Sequence, residues 1–389
     1  MKKPGGDEIV TIDLNSGDYK IFRDAFRKFI DKEILPCYQQ WEEEGLVPRE
    51  AWLKCGSQGF LCPWVEEQYG GSGTDFGYSV IIAEELARAG THVMFPLHSD
   101  IVVPYINSFG TPEQKQKWLP GCVSGEIIAA VAMTEPDAGS DLSALKTVAE
   151  KDGDHYVLNG AKTFISGGEH CDLVIVACKT DPKANPPHRG ISLIVVESGA
   201  PGFQKGRRLH KMGLKSQDTV ELFFENCRVP AANLLGKEGA GFICLMQKLQ
   251  QERLVASISA QALAEKMLKE AMDYTNGRTI FGKPVSRFQH NTFKLVEMAT
   301  EIELGRVFLE RLIEDHMEGN NVVKRVSMAK YWITEMANRV AYQCLQLYGG
   351  YGYMEEYPIC RDYRDVRVQN IFAGATEVMK SIIAKELGL

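Results

Sequence analysis

Three long stretches of helical periodicity in the last third of the chain restrict its fold more than any other feature. In each stretch apolar side chains recur every three or four residues, which is typical of amphipathic helices. Each stretch also runs into one or two glycines, the residue type that most often follows a helix end. The three stretches are residues 242–275, 288–317 and 323–348. The pattern therefore predicts a helical C-terminal domain that begins at about residue 238.

The preceding hundred residues have a different pattern, with short apolar runs that are typical of strands. Asp152-Gly153 and Asn159-Gly160 are dipeptides that favour hairpin turns. The segment therefore predicts a compact antiparallel β domain. Its last strand should end near Pro230, because proline cannot take part in the hydrogen-bond ladder of a strand interior.

The first part of the chain is predicted to be helical. Apolar residues recur at helical spacing from residue 21 to 34, and Pro36 should end this first helix. A second predicted helix ends at Gly90, and a third begins at residues 111–114, whose sequence Thr-Pro-Glu-Gln supplies a capping box with a first-turn proline. The predicted domains cover residues 1–125, 126–237 and 238–389.

Charge and hydropathy exclude several classes of protein. The 389 residues include 44 Lys and Arg against 51 Asp and Glu, a formal charge of −7, so the basic excess of a nucleic-acid-binding protein is missing. No stretch approaches the roughly 18 consecutive apolar residues of a membrane span. The first twenty residues lack the apolar core of a signal peptide and the Arg-rich pattern of a transit peptide. We expect no nucleic-acid partner and no membrane span.

The ten cysteines are scattered along the chain. They form no CxxC motif and no Cys/His spacing that would build a zinc site, so we expect no metal centre. Free, mostly packed thiols are the expectation, as in proteins of a reducing compartment.

Four stretches contain residues that could carry chemistry, and each also has an ordinary structural explanation. Residues 133–141 (MTEPDAGSD) form a turn that could hold an anionic cofactor or could be a simple capped turn. Residues 159–168 (NGAKTFISGG) place an aromatic and a hydroxyl beside Ile165, which alone indicates a hairpin with a core aromatic. Residues 278–284 (RTIFGKP) and 346–353 (QLYGGYGY) follow long helices, and each alone is more often a helix stop than a phosphate site.

Taken together and in this order, the four stretches are highly specific. The sequence resembles the acyl-CoA dehydrogenase family over essentially its whole length, through AMTEPDAGSD and QLYGGYGYMEEYPICRDYRDVRVQ. Within the family it is most similar to the long-chain branch, through GRRLHKMGLKSQDTVELFFENCRVP, QQERL and QNIFAGATEVMKSIIAKEL.

The resemblance implies an α+β fold with an N-terminal helical domain, a middle antiparallel β domain and a C-terminal four-helix bundle. It also implies a homotetramer with one FAD per subunit, an acyl-CoA substrate and an electron-transferring flavoprotein as electron acceptor. Such an enzyme would serve fatty acid β-oxidation. Its location would be cytoplasmic in a bacterium and the mitochondrial matrix for a processed eukaryotic chain.

The family's FAD contacts carry over to two sets of residues. The flavin set would line the flavin ring and the ribityl pyrophosphate, and comprises Val131, Met133, Thr134, Gly139, Ser140, Phe164, Ile165 and Ser166. The cross-subunit set would reach the FAD of a neighbouring subunit, and comprises Arg278, Phe281, Gln289, Gln346, Gly349 and Gly350. Arg278 would bind a pyrophosphate, whose paired oxygens suit its fork of donors.

The sequence departs from the family pattern at several positions. Phe164 replaces the common tryptophan and Ser166 the common threonine, as in the long-chain branch. The closing Gly-Thr-x-Glu motif reads Gly-Ala-Thr-Glu here, so Ala375 would contact FAD only through its backbone, while Glu377 carries over.

The base is also displaced. In this family a glutamate removes the α-proton of the thioester while a hydride passes to flavin N5. Most members carry that glutamate where this chain has Ala373, and the long-chain and isovaleryl branches carry it in a Glu-Arg-Leu stretch, which here begins at Glu252. The N–H of Ala373 would polarise the thioester carbonyl. Gly374, Ser140 and Arg253 would complete the substrate contacts.

The helical pattern supports Glu252 independently of the resemblance. It falls between Leu249 and Ala256 on an apolar stripe of the first long helix. A lone carboxylate on such a stripe indicates a cleft or a function. The alternative is a glutamate at a solvated rim.

Other functions stay open from the sequence. The substrate could be a branched or alicyclic acyl-CoA, and side chains such as Leu97, His98 and Val102 are the positions to inspect for pocket depth. An acyl-CoA oxidase would differ by rapid reoxidation in air. A non-catalytic assembly factor would differ because an acyl-CoA would not bleach its flavin.

Overall fold

The N-terminal part of the chain is helical in a computed structural model that describes residues 13–389. Its α-helices are α1 (Gly17–Phe29), α2 (Leu35–Glu44), α3 (Arg49–Ser57), α4 (Phe76–Arg88), α5 (Val103–Phe109) and α6 (Pro112–Ser124). The expectation that the chain begins without a signal or transit peptide falls mostly on residues 1–12, which lie outside the described residues.

The prediction that Pro36 ends the first helix is wrong. A π-helical turn at Ile30–Ile34 connects α1 to α2, and Pro36 lies in the first turn of α2, where its missing N–H does no harm. The predicted helix before Gly90 is α4. The predicted capping box of α6 is confirmed, because the Thr111 hydroxyl accepts from the Gln114 N–H and the Gln114 amide oxygen accepts from the Thr111 N–H.

The middle part is one eight-stranded sheet. Its strands are β1 (Ala129–Ala132), β2 (Val148–Asp152), β3 (His155–Ser166), β4 (Leu173–Lys179), β5 (Ile191–Glu197), β6 (Phe203–Arg208), β7 (Thr219–Pro230) and β8 (Leu234–Leu235). The predicted β domain is confirmed, but the sheet is mixed, because β1 and β2 both pair with β4 in parallel. The β2–β3 hairpin lies between β1 and β4 in the chain and supplies the crossover that a parallel pair requires. Strand β8 also continues the sheet past Pro230.

The predicted hairpin turn at Asn159-Gly160 is wrong, because both residues lie inside β3. The pairing of β3 with β7 shifts at this point, and Gly160 has a φ of +152°. A Cβ at Gly160 would lie 2.4 Å from the Thr147 hydroxyl oxygen, so the dipeptide marks a bulge with a close backbone approach. The predicted turn at Asp152-Gly153 does separate β2 from β3.

The C-terminal part contains the three long predicted helices. Its elements are α7 (Gly241–Gly277), β9 (Thr279–Ile280), β10 (Lys283–Pro284), α8 (Gln289–Met317), α9 (Val323–Tyr348), α10 (Pro358–Val366) and α11 (Thr376–Glu386). Helices α7, α8 and α9 pack on one another and α11 packs on α9, so a four-helix bundle is confirmed. The domain boundaries at residues 125/126 and 237/238 stay predictions.

Two polar connections hold these parts together. Buried His98 donates from Nε2 to the Cys122 carbonyl at 3.0 Å, and its Nδ1 accepts from the Ala129 N–H at 3.1 Å, which joins α6 to β1. Burial lowers the pKa of His98 to about 4, so the ring is neutral and Nε2 is the donor. Buried Glu84 of α4 pairs with Arg23 of α1 at 3.1 Å and with Arg306 of α8 at 2.5 Å.

All ten cysteines are free, as the sequence predicts, and eight of them are buried. Within residues 13–389, no helix is long and apolar enough to cross a membrane.

Candidate active site

Helix α7 carries a partly buried glutamate that has one fully buried carboxylate oxygen. Glu252 lies on the same face as the buried Leu249 and Ala256, and its Oε2 is buried with no hydrogen-bond partner among the described residues. Burial raises the pKa of Glu252 to about 7, although the charges of Arg253 and Lys330 act in the opposite direction. A carboxyl group with this pKa can both accept and release a proton near neutral pH.

A left-handed turn approaches Arg253, the residue beside Glu252. The turn consists of Ala373, with a φ of +51°, and Gly374, with a φ of +95°. A Cβ at Gly374 would lie 3.7 Å from Arg253 Nε, a buried donor with no partner among the described residues. The ammonium of Lys330 donates to the Gly374 carbonyl at 2.5 Å. The structure therefore brings the predicted base and three of the predicted substrate contacts into one region.

The flavin set is brought together by a buried ion pair. Glu135, in the loop after β1, accepts from the Lys162 ammonium of β3 at 2.8 Å, and both side chains are buried. The same carboxylate accepts from the N–H groups of Lys146 and Thr147. A backbone bond from Thr163 to the carbonyl of Thr134 at 3.0 Å joins the loop to β3.

These contacts place Val131 of β1 and the loop residues Met133, Thr134, Gly139 and Ser140 beside the end of β3. Space is open around Gly139, because a Cβ there would have its nearest neighbour at 4.0 Å.

The end of β3 presents an aromatic ring to the outside. Phe164 is 67% exposed and has a φ of +59°, which is costly for a residue with a side chain. The β3–β7 pairing shifts between Lys162 and Ile165, and Ile165 itself is buried. The interpretation of residue 164 as a core aromatic is therefore wrong. An exposed ring held in a strained position fits a surface that stacks on a planar ligand.

The cross-subunit set lies on the C-terminal part, where four members line one cavity of about 750 Å³. Those four are Arg278, Gln346, Gly349 and Gly350. The Arg278 guanidinium lies 5.6 Å from the centre of the Tyr351 ring. Phe281 is 93% exposed, and Gln289 is exposed at the start of α8. Residues 131–166 are not part of this cavity, so the two sets are separate within one chain.

The closing motif lies at the start of α11. Ala375 is its N-cap residue and Glu377 is exposed in its first turn. His98 is buried, and both of its ring nitrogens are bound to backbone groups, those of Cys122 and Ala129.

Sequence reasoning missed Lys162 and Lys330. Lys162 lies in the stretch of residues 159–168 but is assigned no role there, and Lys330 lies in none of the four stretches, because a buried lysine is identified by its three-dimensional partners. A lysine that faces inward on a strand or helix is the one signal that could have pointed to them.

Three family models match the chain: "Acyl-CoA dehydrogenase, N-terminal domain" over residues 16–126, the middle domain over residues 130–227 and the C-terminal domain over residues 239–388. The mitochondrial long-chain specific acyl-CoA dehydrogenase of Sus scrofa is 46% identical over 391 residues, which cover 100% of this chain and 91% of the relative.

Solved structures are also similar. An acyl-CoA dehydrogenase from Geobacillus kaustophilus has a TM-score of 0.94 at 61% identity, and the match covers 95% of this chain and 98% of that chain. A structure titled as an electron transferring flavoprotein of Acidaminococcus fermentans has a TM-score of 0.91 at 34% identity, with coverage of 97% and 99%.

The raised pKa of Glu252 predicts how the stability of the protein depends on pH. The pKa of Glu252 is about 7 in the folded chain against an ordinary value of 4.5, so the folded state binds the proton more tightly than the unfolded state. Stability is therefore lost as pH rises from 4.5 to 7. Glu252→Gln should raise the free energy of unfolding by about 3 kcal/mol above pH 7 and leave it nearly unchanged below pH 4.5. Denaturant titrations at fixed protein and FAD concentrations measure this difference. A difference that is constant with pH would contradict it.

Proposed function

The chain belongs to the acyl-CoA dehydrogenase family, and from this premise we propose that it converts an acyl-CoA thioester to the trans-2-enoyl-CoA with Glu252 as the base. Members of the family are FAD-dependent flavoproteins. The observation that carries the proposal is the buried oxygen of Glu252, which has no partner among the described residues, beside Arg253, whose Nε faces the Ala373-Gly374 turn. A carboxylate in a dry site has the proton affinity that this reaction needs.

The residues present fit an FAD. The exposed ring of Phe164 and the open space at Gly139 suit a planar ring and a polar chain, and Ser166 places a hydroxyl beside them. The flavin set would hold the FAD of its own chain, while the cross-subunit set, with Ala375 and Glu377 closing the site, would hold that of a neighbour. When bound, FAD supplies the acceptor for the hydride that leaves the β-carbon.

Residues of this chain would remove the α-proton of the substrate and stabilise the charge that develops. The carboxylate of Glu252 takes the α-proton, and the N–H of Ala373 donates to the thioester oxygen as negative charge develops there. Arg253 has a free buried donor and would bind the CoA portion, with Ser140 and Gly374 as further contacts. Because Oε2 of Glu252 is shielded from solvent, water does not compete for this proton.

The substrate class and the electron acceptor are part of the proposal. Identity of 46% to a long-chain specific enzyme favours a long, straight acyl chain. An electron-transferring flavoprotein is the proposed acceptor, supported by the likeness to a structure with that title. The relatives include mitochondrial and bacterial proteins, and the proposed location is the cytoplasm of a bacterium or the mitochondrial matrix.

Removal of the base should stop the chemistry and preserve binding. Glu252→Gln keeps the shape of the side chain, so acyl-CoA should still perturb the flavin spectrum while reduction slows by about a hundredfold or more. Anaerobic stopped-flow mixing with a panel of straight, branched and alicyclic acyl-CoAs measures both effects. The double variant Glu252→Gln, Ala373→Glu restores a carboxylate and should recover part of the rate. If Glu252→Gln reduces flavin at the parent's rate, Glu252 is not the base, and Glu377 becomes the next candidate.

The electron acceptor separates a dehydrogenase from an oxidase. The sequence contains no GxGxxG dinucleotide fingerprint, so NAD should not be a direct oxidant. Enzyme reduced by its substrate should be reoxidised by an electron-transferring flavoprotein at least about ten times faster than by air or NAD, since only the flavoprotein is a proposed partner. Reoxidation in air at a comparable rate would instead indicate an acyl-CoA oxidase.

A homotetramer is typical of this family, and we propose one for this chain. Support comes from exposed apolar residues along α8: Phe293, Val296, Leu304 and Val307. A solvent-facing stripe of this kind suits contact with another copy of the chain.

Loss of Arg278 should weaken the cofactor and the assembly together. A ligand bound across an interface stabilises that interface by mass action, so Arg278→Ala should lower FAD occupancy and promote dissociation on dilution. Arg339, exposed on α9 in the same bundle but outside the cavity, offers a matched control in Arg339→Ala. Flavin absorbance and analytical ultracentrifugation measure the two effects. Full flavin content of Arg278→Ala at dilute concentration would show that the residue does not bind FAD across subunits.

A further inference from the structure

Lys330 is a buried cation without an ion-pair partner. It lies on α9 and is fully buried, and among residues 13–389 no carboxylate oxygen lies within 4 Å of its ammonium. Its hydrogen bond goes to the carbonyl of Gly374 at 2.5 Å. A buried charge is costly unless other groups compensate for it, so a lysine in this position requires an explanation beyond packing.

Titratable groups from three helices face this site. Glu252 and Arg253 come from α7, Glu377 comes from α11, and Tyr105 of α5 faces Glu252 with a buried hydroxyl that has no partner among the described residues. Burial lowers the pKa of Lys330 to about 8, Arg253 adds to this effect, and the two glutamates oppose it. The ammonium is therefore the charged form at neutral pH, within electrostatic range of Glu252.

We infer that Lys330 is a positioning residue that holds the Ala373-Gly374 turn against the thioester and keeps Glu252 ionised in the resting enzyme. This inference rests on the proposed function, because it takes Glu252 as the base.

The first role follows from the backbone. Ala373 is strained, because a residue with a side chain rarely adopts a φ of +51°, whereas Gly374 adopts its φ of +95° without steric cost. The bond from Lys330 to the Gly374 carbonyl fixes the peptide group that follows Gly374, and so restrains the turn that carries the Ala373 N–H. A displacement of about 1 Å at such a donor can slow a reaction about a hundredfold.

The second role follows from the sign of the charge. A cation near a carboxyl group favours its ionised form, and Lys330 acts on Glu252 in this direction. Without the cation, a larger fraction of Glu252 would be protonated at neutral pH and unable to accept the α-proton.

Three substitutions separate the two roles. Lys330→Gln removes the charge and keeps a donor for the Gly374 carbonyl, Lys330→Met removes both, and Lys330→Arg keeps the charge. The measurement is the limiting rate of flavin reduction by acyl-CoA as a function of pH, with saturating substrate. We call the part of this profile in which the rate rises as Glu252 loses its proton the acid limb.

Lys266 provides a matched control. Its side chain is also buried in the bundle but pairs with Asp362 at 2.7 Å, so Lys266→Met should leave the acid limb in place.

The acid limb of the rate profile should move to higher pH by about one unit in Lys330→Gln and Lys330→Met, and stay in place in Lys330→Arg. At high pH, Lys330→Met should remain about tenfold slower than Lys330→Gln, because the turn is no longer held. A uniform loss of rate with an unmoved limb in both neutral variants would overturn the inference.

The same experiment on Glu252→Gln separates this failure from failure of the proposed function. If Glu252→Gln reduces flavin at the parent's rate, the base is misassigned. If Glu252→Gln is inactive while the limb of Lys330→Gln does not move, the proposed function stands and the role of Lys330 is wrong.

Discussion

The ion pairs of Glu84 determine how the two helical parts of the molecule meet. Its carboxylate binds Arg23 at 3.1 Å, Arg88 at 3.0 Å and Arg306 at 2.5 Å, so one buried anion connects α1, α4 and α8. Glu265 of α7 pairs with Arg88 and Arg306 and completes the cluster. Loss of any partner would leave a buried charge uncompensated, so the helices are held in one arrangement. That arrangement packs α4 and α5 on α7, the helix that carries Glu252.

Burial then shifts the pKa values of the titratable groups in the site. Burial is the largest cause of the raised pKa of Glu252, and it is also the largest cause of the lowered pKa of Lys330. Strain accumulates in the same places, because Phe164 and Ala373 both adopt positive φ at positions proposed to contact cofactor and substrate. Backbone strain and buried titratable groups, both of which are energetically unfavourable, thus occur at residues with a proposed function.

The sequence predicts the long elements well and the local exceptions poorly. Periodicity over some thirty residues defines α7, α8 and α9, because many weak preferences add up along such a length. Pro36 and Asn159-Gly160 mislead because a π-turn and a β-bulge, which depend on packing, override the usual meaning of proline and of an Asn-Gly pair. Glu252 is visible as a carboxylate on an apolar stripe. Lys330 is not, since its partner is a backbone carbonyl far along the chain.

Exclusion of water affects the charges of both Glu252 and Lys330. Glu252 titrates near pH 7 and Lys330 near pH 8, and each charge favours the other. A binding step that dehydrates the site further would push both groups toward neutrality, so the fit of the acyl chain and the readiness of the base would be linked through solvent exclusion.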